Sequence, residues 1–121
     1  MNILIVALDD VTPADVDDAD VLVVAPARTS WLRRWLSDED GARRTAQGRA
    51  AELVERLERR GVHAEARVGD SDPMLAIADA LPTFAADAIV IAAQAGRSGS
   101  SADELVSRAH DRFGLPTSTR E

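Results

Sequence analysis

The sequence contains no cysteine, which excludes disulfides, thiolate catalysis and cysteine-ligated zinc. It contains no lysine either, since all fourteen basic residues are arginine. A Walker phosphate loop and a receiver-type switch both need a lysine, so both are excluded. Imidazole is limited to His63 and His110, which fall on polar faces far apart in sequence and receive no ligand or catalytic role. No apolar run approaches the roughly 18–20 residues of a membrane span. The amino terminus leads straight into an apolar strand without a basic flank or cleavage signal. A cytoplasmic location is therefore expected. The formal net charge of −7 argues against nucleic acid or an anionic membrane as the main partner, because either normally requires a basic surface.

What is present organises itself around residues 66–94. Ala66-Arg67-Val68 leads into the turn Gly69-Asp70-Ser71-Asp72-Pro73, with Asp72 placed as a helix N-cap and Pro73 at the first helical position. Met74, Leu75, Ile77, Ala78 and Leu81 supply an apolar face at helical spacing. Ala88 to Ala93 is a continuous apolar run, the pattern of a strand covered on both faces. Strand, helix and buried parallel strand make a βαβ unit. At 121 residues, one domain spanning 1–121 is expected, without a structural metal.

The remaining segments extend that unit. Asn2 to Leu8 and Val21 to Pro26 read as central parallel strands. The crossover between them, Asp9 to Asp20, is short and acidic, and whether it contains a helix is left open. Trp31/Trp35 and Leu32/Leu36 stand at i, i+4 on one face of a short helix over Thr29 to Leu36. Aromatics are only 3% of the chain, so this pair is conspicuous, either as a packing anchor or as a contact for a base or partner. Ser37 with Asp40 resembles a capping box. It opens a helix that runs to Arg60 through Ala42, Ala46, Ala50, Leu53, Val54 and Leu57, with Gly61 at C′. Val62, Ala64, Ala66 and Val68 alternate with His63, Glu65 and Arg67, as on a sheet edge or a strand with one solvated face. Ser101-Ala102-Asp103-Glu104 is a capping box for a last helix through Leu105, Val106, Ala109 and Phe113, closed by Gly114 and Pro116. The polar tail from Thr117 makes a fifth buried strand unexpected and leaves room only for a short one. The expected fold is thus a three-layer α/β domain: an open parallel sheet of four main strands, with a short fifth left open, flanked by helices.

In such a sheet, ligands bind beyond the carboxyl ends of the strands. Four loops qualify, beginning at Asp9, Pro26, Gly69 and Gln94. In the segment Gly96 to Ser101, glycines admit close backbone approach, hydroxyls donate, Arg97 is cationic and a helix follows at once. The segment is either a phosphate loop or a plain connector. Asp9-Asp10 serves either to orient a ribose or bind magnesium, or to solvate a strand end. The turn at Gly69 is accounted for by capping, with Asp70 left over.

With these elements placed, the chain resembles the universal stress protein family, in particular its short members common in actinobacteria. The resemblance rests on Ile3 to Asp9, Val21 to Pro26, the long charged helix, Val68-Gly69 with Pro73, Ile77 and Ala80, and Asp87 to Ile91 followed by a glycine loop. It implies an adenine nucleotide alpha hydrolase-like fold and a binding or regulatory role in stress adaptation without catalysis. Asp9 matches the aspartate near the adenosine in nucleotide-binding members, and Gly96 and Gly99 match the first two glycines of their phosphate loop. Asp9, Gly96, Arg97, Gly99 and Ser100 are therefore the expected contacts for ATP or AMP, with magnesium if ATP is bound. The chain departs from the pattern where a glycine and a hydroxyl residue are expected, since Ala109 and His110 stand there. The short first crossover and the polar tail also depart, and the tail removes the strand through which many members dimerise. A homodimer would then use another interface. The rival expectation is a nucleotide-free dimerisation or scaffold protein, joined by the Trp31/Trp35 patch or an open sheet edge.

Overall fold

The computed structural model describes residues 1–8, 19–27, 39–70, 72–93 and 99–120. The expected short helix carrying Trp31 and Trp35, the first crossover from Asp9, the start of the capping box at Ser37 and the glycine loop through Gly96 and Arg97 lie outside them. Five strands form one parallel sheet: β1 (Asn2–Ala7), β2 (Asp20–Pro26), β3 (His63–Gly69), β4 (Ala88–Ala92) and β5 (Thr117–Arg120). Three helices are described, α1 (Glu39–Arg59), α2 (Pro73–Ala80) and α3 (Gly99–Phe113). The strand order is β3-β2-β1-β4-β5, so the chain winds outward from β1 to one edge and then returns to build the other half.

The continuous apolar runs are explained by their position. β1, β2 and β4 are interior strands, and each sends alternate residues into two separate cores. Ile3, Ile5, Val21, Val23 and Val90 pack with Ala46, Ala50, Leu53 and Leu57 of α1 on one face. Leu4, Val6, Leu22, Val24, Ile89 and Ile91 pack with Met74, Ile77 and Ala80 of α2 and Ala102, Leu105 and Ala109 of α3 on the other. The layers are therefore helix, sheet, helix.

Local chemistry ends each helix where the sequence predicts. At the end of α1, Gly61 adopts φ 83°. Its N–H donates to Glu58 O at 3.0 Å, and the Val62 N–H donates to Leu57 O at 3.0 Å. This is the paired bonding of a Schellman motif, with buried Val62 and Leu57 as its apolar contact. α3 ends in the simpler left-handed form: Gly114 has φ 68° and its N–H donates to His110 O at 2.9 Å. At the amino ends of the strands, the Asn2 N–H donates to Asp87 Oδ2 at 2.8 Å and the Asp87 N–H to Asn2 O at 2.7 Å. The Asn2 side chain adds a bond to Ala85 O at 3.0 Å. This clip aligns β1 with β4.

Several expectations are corrected. Leu75 is exposed, and Ala76 and Ala80 take its expected place on the buried face of α2. The cause is the close approach of α2 to the sheet over Gly69, where a Cβ would meet Ala76 Cβ at 2.7 Å and Val24 Cγ1 at 2.8 Å. Only small residues fit there. Ala66 is exposed as well, although alternation predicts it inside. It lies on the edge strand, beside α1 and not beneath it. The polar tail does form a strand: β5 pairs parallel with β4 from Thr117 opposite Ile89 to Arg120 opposite Ala92. Main-chain pairing is indifferent to side-chain polarity, and as an edge strand β5 keeps Thr117, Ser118 and Thr119 half-buried. The fifth strand left open by the sequence is thus present, as a short and half-buried edge.

Candidate site at the carboxyl ends of the strands

The order β3-β2-β1-β4-β5 reverses direction between β1 and β4. At such a switch point the connections leave in opposite directions and open a crevice beyond the strand ends. The two strands run in register to the rim, Ala7 opposite Ala92, and the Leu8 N–H donates to Ala92 O at 3.1 Å. Leu8 and Ala93 are both buried. The rim between β1 and β4 thus consists of apolar side chains and closed backbone bonds, and the segments that follow it in sequence begin at Asp9 and Gln94.

Of the expected contacts, Asp9, Gly96 and Arg97 lie outside the described residues. Gly99 and Ser100 are described, and they stand in the first turn of α3, not in a loop before it. Ser101 is accordingly the third helical residue and not the cap. The helix starts two residues early because Gly99 and Ser100 can enter it, leaving first-turn N–H groups without intrahelical acceptors at the glycine segment itself. This correction places two of the expected contact residues in the first turn of the helix.

The turn at Gly69 can be set aside as an anion site. The Asp72 side chain accepts the Met74 N–H at 2.9 Å, its carbonyl accepts the Ala76 N–H at 2.9 Å, and Asp70 Oδ1 accepts the Asp72 N–H at 2.9 Å. Asp70, unexplained in the sequence, thereby acquires a role in the turn. Two carboxylates and satisfied donors make the start of α2 unwelcoming to a phosphate. The first turn of α3 contains no acidic residue. The start of α2 is thus flanked by Asp70 and Asp72, whereas Asp103 is the first acidic residue of α3, at its fifth position.

His110 and Ala109 also find structural roles. His110 Nδ1 lies 3.0 Å from Leu115 O, so the proton it donates is on that nitrogen. Thr117 Oγ1 donates to the same carbonyl at 2.9 Å, fixing the turn from α3 into β5. Sequence reasoning missed both. Ala109 is buried against the sheet, ten residues beyond Gly99 and so about 15 Å along the helix. Whatever meets the start of α3 cannot also touch Ala109. Among the described residues no group of three or more histidine, aspartate or glutamate side chains is arranged to hold a metal ion, and no helix is long and apolar enough to cross a membrane.

No protein-family model and no curated protein matches the chain by sequence. The fold has a clear likeness among solved structures: a universal stress protein family protein from Arabidopsis thaliana, solved with AMP bound, superimposes with a TM-score of 0.59. The match covers 100% of this chain and 93% of the other at 14% identity. Over its whole length, the chain has the parallel α/β fold of a universal stress protein family protein.

Proposed function

We propose that the protein is a small binding or regulatory domain of the universal stress protein type that takes an adenine nucleotide at the rim between β1 and β4. One observation carries the reading. α3 opens at Gly99, immediately beyond the switch point, with no acidic residue in its first turn, and the structural neighbour was solved with AMP bound. In this reading Asp9 orients the adenosine, and Gly96, Arg97, Gly99 and Ser100 hold the phosphate. The glycine and hydroxyl that the family pattern expects downstream find their counterpart in Gly99 and Ser100, not in Ala109 and His110. Residues at a helix start offer N–H groups to an anion, and mid-helix residues do not. The phosphate loop is thus shortened, which favours AMP over ATP, and magnesium would be needed only for ATP. Binding without turnover, in the cytoplasm, completes the proposal.

The test is a thermal-shift titration with ATP, ADP, AMP and cyclic AMP, with and without magnesium. A ligand confined to the native state adds about 2.7 kcal/mol at a hundredfold excess over its dissociation constant. AMP should raise the unfolding temperature dose-dependently, and Gly99→Leu should abolish the rise without lowering the unligated value. No response to any of the four at millimolar concentration would overturn the nucleotide reading. The rival role, a nucleotide-free dimerisation or scaffold protein, draws support from a separate feature, the open edge of β3.

A further inference from the structure

β3 ends the sheet. Its bonding to β2 fixes which groups remain open. The Ala27 N–H donates to Gly69 O at 3.2 Å, and in a parallel ladder alternate residues face the same neighbour. Gly69, Arg67, Glu65 and His63 therefore direct their main-chain groups toward β2. Ala64, Ala66 and Val68 direct theirs outward, where no described residue pairs with them. Alongside runs a groove of about 480 Å³ lined by Ala51, Val54, Glu55, Glu58, Arg59 and Ala66. Ala66 is its floor, an exposed alanine in the middle of a strand edge.

We propose that this edge binds a second copy of the chain, β3 against β3, antiparallel about a two-fold axis through Ala66. Charge selects the partner and the register. Outward-facing residues must oppose outward-facing residues, so the antiparallel alignments that use the whole strand centre on residue 65, 66 or 67. Centring on 65 sets Glu65 against Glu65, and centring on 67 sets Arg67 against Arg67. Like charges directly opposite one another oppose pairing. Centring on Ala66 sets Glu65 of each copy against Arg67 of the other, twice. It also pairs Ala64 with Val68 and Ala66 with itself, giving about six main-chain hydrogen bonds from three pairs that each exchange two. Arg67 is already held in place, since its Nη1 donates to Thr83 Oγ1 at 2.9 Å. On the α1 face Ala66 sits on the axis with Ala64 and Val68 beside it, and in the groove alongside Glu55 is already paired with Arg59 of its own copy. The interface lies two strands from the switch point and is independent of any nucleotide.

The test uses sedimentation equilibrium on five samples, with circular dichroism and the unfolding temperature checking that each is folded. The natural chain should be dimeric at high micromolar concentration. Glu65→Arg and Arg67→Glu should each be monomeric, because each faces like charge with like charge. An equimolar mixture of the two variants should form heterodimers, since every opposed pair is then of opposite sign. The double variant Glu65→Arg with Arg67→Glu should dimerise again. A natural chain that is monomeric at millimolar concentration, single variants that remain dimeric, or folded variants that fail to combine on mixing would each overturn the proposal.

Discussion

Adding one methyl group should have opposite effects at two glycines, and the contrast tests the account of how α2 meets the sheet. At Gly69 a Cβ would lie 2.7 Å from Ala76 Cβ and 2.8 Å from Val24 Cγ1, with the Ala76 Cα at 3.4 Å. None of these atoms can swing aside. Ala76 has no rotatable side chain, and Val24 is completely buried. Relief requires α2 to lift, loosening Met74 and Ile77 from Leu4, Val6 and Ile91. Overpacking of this kind costs about 2–3 kcal/mol, offset by about 0.5–1 kcal/mol from the reduced freedom of the unfolded chain. Gly69→Ala should therefore lose about 1–2.5 kcal/mol, which at roughly 4 °C per kcal/mol lowers the midpoint by about 4–10 °C. Gly48 is an exposed position inside α1 where a Cβ meets nothing within 4 Å. Gly48→Ala should stabilise by about 0.5–1 kcal/mol through helix propensity. Urea unfolding of both variants, followed by circular dichroism, gives the two numbers. A third variant isolates the contact: in an Ala76→Gly background the Gly69→Ala penalty should shrink by about 1 kcal/mol. Equal stability of Gly69→Ala and the natural chain, or a penalty unchanged by Ala76→Gly, would refute the reasoning.

Three further outcomes follow from the same packing. Asp72→Ala removes the acceptor for the Met74 N–H and should cost about 0.5–2 kcal/mol, measurable as a lower urea midpoint at unchanged slope. Leu57→Ala, at a completely buried position under α1, should cost about 2–5 kcal/mol. Leu75→Ala, at a residue 44% exposed, should change stability by no more than about 0.5 kcal/mol. Comparable losses for the two leucines would contradict the burial assigned to α1 and α2.

The parts of the fold written in local chemistry were legible in the sequence. Apolar runs without alternation identify β1, β2 and β4 because both faces are covered, and Asp72-Pro73 and Gly61 mark helix ends through bonds made within a few residues. The parts set by partners distant in sequence were not legible. Periodicity alone cannot distinguish Leu75 from Ala76, because the choice depends on how closely Gly69 lets the helix approach. It leaves β5 open as well, since a run of threonine and serine becomes a strand only where the ladder of β4 is waiting. The candidate site is intermediate. A glycine-rich segment after a buried strand can be seen in the sequence. That the helix opens at Gly99, and that the turn at Gly69 has used its own donors, required the structure.

The clip between Asn2 and Asp87 joins residues 85 positions apart, and this separation has a consequence for how the molecule is made. β1 lies at the centre of the finished sheet, but during synthesis its β4 flank has no partner until the segment 88–92 has left the ribosome. At about 5–20 residues per second that interval is roughly 4–17 seconds. For that time β1, β2 and β3 can exist only as a half-sheet whose inner edge is its most apolar strand, the kind of edge that recruits other chains. Closing it requires the longest loop in the fold, so the β1–β4 pairing should be the slow step of folding. A nascent chain stalled before residue 88 would need a chaperone.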